Sequence, residues 1–148
     1  MNCSDMKLSR KKRSVDGGNG RVYWYEKDYI MRLIHGIAQM LAYLWFGKKE
    51  TELPTVMGQE CWEDSDYLKR LVDSGQINAA EDKLFDLLET AVWDEKQKAA
   101  LVISFYDYLN SKSDEFLAAA DFSRDEIVTG LEDALGRIGM EIPEYLRV

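Results

Sequence analysis

His35 is the only histidine in a chain of 148 residues, so acid–base chemistry near neutral pH would have to be organised around it. On a helix, Asp28 and Arg32 lie one or two turns before it on the same polar side, where they could orient it as a general base. No serine or cysteine stands at a spacing that ties it to His35 as a nucleophile. Cys61 is followed by Trp62 and flanked by Glu60, Glu63 and Asp64, whose charges oppose thiolate formation and predict an inert thiol. Carboxylates cluster at Glu81, Asp82, Asp86 and Glu89, and again at Asp125, Glu126, Glu132 and Asp133. Helical carboxylate metal centres draw a Glu-x-x-His unit from each of two helices, and this sequence has none, so the clusters read as solvated faces. Cys3 and Cys61 form no CxxC or Cys/His ligand set. The expectation is therefore no catalytic residue, no cofactor, no metal site and no enzymatic activity. An enzyme with its site around His35 is the alternative this leaves.

The element that must position His35 is the stretch Tyr25 to Gly47, the longest apolar-periodic segment in the chain. Ile30, Leu33, Ile34, Ile37, Leu41, Leu44 and Trp45 recur at the i, i+3, i+4, i+7 spacing of a buried helical face, with Asp28, Arg32, His35 and Gln39 opposite. Ala42, Tyr43 and Phe46 close that polar side, so the last two turns are expected to be enclosed by other elements. The uncharged run from Leu33 to Gly47 falls short of the roughly 20 apolar residues a bilayer needs, which points to a core and away from an integral membrane protein.

Beyond Gly47, Pro54 and Gly58 predict an irregular connection as far as Glu63. A helix from about Ser65 to Ser74 buries Leu68, Leu71 and Val72 and stops at Gly75. Asn78 with Glu81 has the form of a capping box for a third helix, whose inner row is Ala80, Leu84, Leu87, Leu88 and Ala91. Asp94 with Gln97 caps a fourth, burying Leu101, Val102, Phe105, Tyr108 and Leu109. A short helix near Asp114 to Ala120 follows. Ser123 with Glu126, flanked by Phe122 and Ile127, starts the last, which buries Ile127, Val128, Leu131, Ala134, Leu135 and Ile138 and ends at Gly139. The fold class expected is all-α, five to six helices, with the long N-terminal helix central and packed with antiparallel helical hairpins.

Charge divides the chain. Six basic groups against two acids give residues 1–21 a net +4, and 13 basic against 25 acidic groups give the remainder −12, for −8 in all. An acidic body repels a phosphate backbone, so nucleic-acid binding is not expected. Residues 1–21, with RKKR at Arg10 to Arg13 and then SVDGGNG, read as a disordered basic leader before a single helical domain over 22–148. No apolar segment of a secretory signal follows the basic cluster, and the unpaired cysteines suit a cytoplasmic protein.

The segment YEKDYIMRLI, Tyr25 to Ile34, resembles the opening of a family of small uncharacterised bacterial helical proteins with an Asp-Tyr-Ile-Met-Arg motif near the N-terminus. That resemblance implies a helical fold, makes residues 1–21 an extension, and carries no activity. The hairpin Leu68 to Glu89 also resembles one unit of a tetratricopeptide-type repeat, with Ala80 and Leu84 at its small and large packing positions. Leu68, Leu87 and Val92 depart from that pattern, and no second copy occurs at a fixed period. Aromatics beyond one core face, at Tyr23 to Tyr25, at Tyr43, Trp45 and Phe46, and at Tyr106 and Tyr108, are the side chains that interfaces use as anchors. The function expected is a non-catalytic protein-interaction module, adaptor or homo-oligomer, with Trp24, Tyr25, Asp28, Arg32, His35, Tyr43 and Phe46 as its candidate residues. Peripheral membrane association through the basic leader and the aromatic helix end is a further alternative.

Overall fold

The structure, a computed structural model, describes residues 20–144, with side chains from Tyr29 onward. Among these residues it is all-α: α1 (Gly20–Phe46), a single 3-10 turn (Glu50–Glu52), α2 (Leu53–Asp73), α3 (Ile77–Thr90), α4 (Glu95–Asn110), α5 (Asp114–Ala119) and α6 (Arg124–Arg137). None of these helices is long and apolar enough to cross a membrane.

α1 is the longest element, but α4 is the most enclosed. Ala99 to Ile103, Phe105, Tyr106, Leu109 and Asn110 are all buried, and α4 packs against α1, α2 and α6. Its sequence is apolar over more than one face, as a helix surrounded on several sides must be. The central position expected for the N-terminal helix therefore belongs to α4. α1 lies along it as an outer layer, using a face centred on Ile34, Ile37, Ala38, Leu41 and Ala42.

The connection expected over residues 47–63 is instead mostly helix. Gly47, at φ +65°, ends α1, with its N–H donating to the Tyr43 carbonyl at 2.8 Å. Pro54 falls in the first turn of α2, where a missing N–H costs nothing. Gly58 (φ +79°, ψ 173°) does break the helix, as its residue type predicts. The break is bridged: the Met57 carbonyl accepts from Gln97 Nε2 on α4 at 2.6 Å. Gln97 also closes the capping box of α4, because its N–H donates to Asp94 Oδ1 at 2.8 Å while Asp94 N–H donates to its Oε1 at 3.1 Å.

The Ser123/Glu126 box forms as expected, with Ser123 N–H donating to Glu126 Oε2 at 2.9 Å. The Asn78/Glu81 box does not. α3 begins after Gln76 without a side-chain cap, and Glu81 turns into the core, where the Tyr106 hydroxyl donates to its Oε2 at 2.7 Å. This buried pair meets α6 at Gly130, where a Cβ would stand 2.7 Å from both Glu81 Oε2 and Tyr106 Oη. A second polar link joins four helices, α1, α4, α5 and α6. Arg124 of α6 donates to the backbone oxygen of Asn110 at 2.9 Å and to Asp114 Oδ1 at 2.8 Å, and Asn110 Nδ2 donates to the Met31 carbonyl of α1 at 2.8 Å.

Candidate functional site

His35 is on the flank of α1, between its buried and exposed faces, where α4 and the 3-10 turn both approach. Its Nδ1 lies 3.1 Å from Asp107 Oδ1 and 3.6 Å from Glu50 Oε1. Of the two partners expected within α1, Arg32 has an exposed side chain, and the Asp28 side chain lies outside the described residues. The partners come from 15 and 72 positions further along the chain. Half of the His35 ring is open to solvent, whereas the two carboxyl groups are 17% exposed.

Glu50 reaches this position because Gly47 turns the chain after α1 and the 3-10 turn is closed by Lys49 N–H donating to Glu52 Oε1 at 2.9 Å. Asp107 is the only charged residue of α4 between Lys98 and its C-terminus, a lone carboxylate within an apolar helix. That isolation is the signal by which sequence reasoning could have found it. Burial, a hydrogen bond with Asp107 and the Asp107 charge push the Glu50 carboxyl up to about 8, while Lys69 opposes the shift. Glu50 thus holds a proton at neutral pH and shares it with Asp107, and Asp107 accepts from His35 whenever Nδ1 carries its hydrogen. Burial lowers Lys69 from its ordinary range, against the pull of Asp66, Glu50 and Asp107.

The second feature is the side of α1 turned away from the core. Tyr29, Met40, Tyr43 and Leu44 are exposed large hydrophobics, Tyr43 to 68%, and Leu33 beside them is half-buried. Leu33 and Leu44 were expected on the buried face, and Tyr43 in a helix end closed over by other elements. Leu33 is half-buried and does pack against the core, whereas Leu44 and Tyr43 stay exposed, because α4, α6 and the 3-10 turn cover α1 on one side only. Gly36, in the middle of this strip, has open space where a Cβ would point. Phe46 and Trp45 meet edge to face at 6.5 Å and are half-buried against the core. The side chains of Trp24 and Tyr25, candidate anchors by sequence, are outside the described residues.

Trp62 and Tyr67 on α2 are also exposed, whereas Tyr106 and Cys61 are internal and Tyr108 is half-buried. Tyr106 is fully buried, and the Tyr108 hydroxyl donates to Asp73 Oδ1 at 2.6 Å, beside Lys112 Nζ at 2.7 Å from the same oxygen. Cys61 is buried in α2, its thiol donating to the Gln97 backbone oxygen at 3.7 Å. Burial first, then the charges of Asp64 and Asp94, push it up to about 12. The expected direction is right, but the main cause is desolvation, which sequence neighbours do not reveal.

An all-α fold with a His–carboxylate cluster at the edge of an open helical face describes the class of molecule. The chain belongs to a family of unknown function, DUF6483, which matches it over residues 24–139. No curated protein and no solved structure matches it.

Proposed function

We propose that the chain is a cytoplasmic, non-catalytic interaction module that pairs with a second copy of itself through the outer face of α1. The observation carrying this reading is the strip Tyr29, Leu33, Gly36, Met40 and Tyr43, whose 4-3-4-3 spacing is that of a helix–helix seam. The strip is self-complementary. With a two-fold axis at Gly36 and antiparallel helices, Tyr29 stands opposite the partner's Tyr43, seven positions to either side of the axis, as an isologous contact requires. Glycine in a helix interior costs about 0.5–1 kcal/mol relative to alanine. Among the described residues nothing lies within 4 Å of where a Gly36 Cβ would stand, so close packing by another backbone is what would offset that cost. Charge favours the same occupant. From Tyr29 to Gly47 there is no acidic residue in a chain of net −8, so two copies can meet here without carboxylates facing each other. In this reading the hairpin of α2 and α3 is a single tetratricopeptide-like element, supported by the burial of Ala80 and Leu84, and its α2 arm packs on α4.

Sedimentation velocity of the full chain between about 1 µM and about 1 mM, the range in which weak homodimers form, tests the proposal. A dimer that Met40→Glu with Tyr43→Glu converts to monomer supports it, and both positions are exposed enough for the monomer fold to survive. Gly36→Ala is expected to raise monomer stability while weakening the dimer, two readouts that move in opposite directions. A monomer throughout the concentration range would overturn it.

A further inference from the structure

Independently of the α1 seam, the geometry points to a binding site for one divalent cation of the zinc class, held by His35 Nδ1, Glu50 and Asp107. Ligand atoms from all three residues lie within 4.8 Å of one another. Zinc bonds nitrogen and carboxylate oxygen at about 2.0–2.2 Å, which spaces adjacent ligands about 3.0–3.6 Å apart. His35 Nδ1 stands 3.1 Å from Asp107 Oδ1 and 3.6 Å from Glu50 Oε1, two of the three edges such a polyhedron needs.

The charges match once the ion displaces the proton shared by Glu50 and Asp107, since two carboxylates and a neutral imidazole together neutralise one divalent ion. The imidazole selects against magnesium and calcium, which take all-oxygen shells, and in favour of zinc, cobalt or nickel. The three ligands come from three elements, α1, the 3-10 turn and α4, so no local motif announces the site. The half-exposed His35 ring leaves an entry path, and three protein ligands leave positions open to water. Lys69, whose charge acts on both Glu50 and Asp107, is the resident competitor for the cation. Because the ligands join separate elements, an ion bound here would tie the start of the α1–α2 connection to the centre of the bundle.

Zn²⁺ titrated by calorimetry into the chelator-stripped full-length protein, with Co²⁺ absorbance as a second probe, tests the site. Expected are one equivalent bound, a thermal midpoint that rises with Zn²⁺ concentration, and affinity at least roughly tenfold weaker in His35→Ala and in the isosteric Asp107→Asn. Lys69→Met removes the competing charge and is expected to tighten binding, an effect that general loss of structure would not produce. Absence of saturable binding would overturn the inference. So would one equivalent bound with wild-type affinity in both ligand variants, since the ion would then sit elsewhere.

Discussion

At Glu50 the fold moves a carboxyl group across neutrality, from the ordinary 4.5 to about 8. In that window the folded chain binds a proton that the unfolded chain has released, so this group's contribution to stability is complete below 4.5 and lost as pH rises through about 8. Urea denaturation of the chelator-treated protein is therefore expected to show a falling midpoint between pH 5 and 8. Glu50→Gln, which keeps a donor toward Asp107 without titrating, is expected to flatten that slope. An unchanged slope in the variant would place the titration elsewhere. Cys61 gives a second residue-scale expectation. Its thiol is buried and pushed up to about 12, so alkylation by iodoacetamide at pH 8 should be negligible in the folded protein and should appear only as the chain unfolds. The direction of the Cys61 shift was legible in the sequence; the Glu50 shift was not. His35 stood out as the sole histidine, but its partners lie 15 and 72 positions away, and only the packing of α1 on α4 brings them together.

Helices were legible where their start signals are local. The boxes at Asp94/Gln97 and Ser123/Glu126 satisfy backbone donors three residues away and need no tertiary context. The same pattern at Asn78/Glu81 was misread because Tyr106, 25 residues on, offers Glu81 a buried hydroxyl that outcompetes the exposed cap. Pro54 and Gly58 were read as breakers of a long connection. Pro54 begins a helix, and the break at Gly58 is bridged by Gln97, a partner that no local rule supplies. The crossing of α6 over the Glu81–Tyr106 pair carries the sharpest prediction at this scale. Gly130→Ala puts a methyl group 2.7 Å from both partners, and overpacking of this kind costs about 1–3 kcal/mol, measurable as a lowered urea midpoint. Gly136→Ala on the same helix meets nothing and is the control expected to leave the midpoint unchanged or raised.

For the molecule as a whole, composition and periodicity were enough to fix the all-α class, because every helix long enough to pack shows its apolar row. They did not show which helix is central, since α1 and α4 are both rich in apolar residues and only the contacts distinguish an outer helix from an enclosed one. The net charge of −8 bears on the proposed pairing. Two like-charged bodies repel at long range, so raising salt from about 0.05 M to about 0.5 M, which shortens the Debye length well below 10 Å, is expected to tighten the dimer. A contact built on ion pairs would loosen under the same change. Finally, the Arg124–Asn110–Met31 link bears on the order in which the molecule opens. The Asn110 side chain that holds α1 at the Met31 carbonyl is itself oriented by Arg124, which donates to its Oδ1 at 3.2 Å. An α6 seated on α4 helps hold that amide toward α1, so α1, the outer layer, is expected to be the first helix to lift away. Native-state hydrogen exchange should then find the amides of α1 opening at lower free energy than those of α4, with the gap widening in Asn110→Ala.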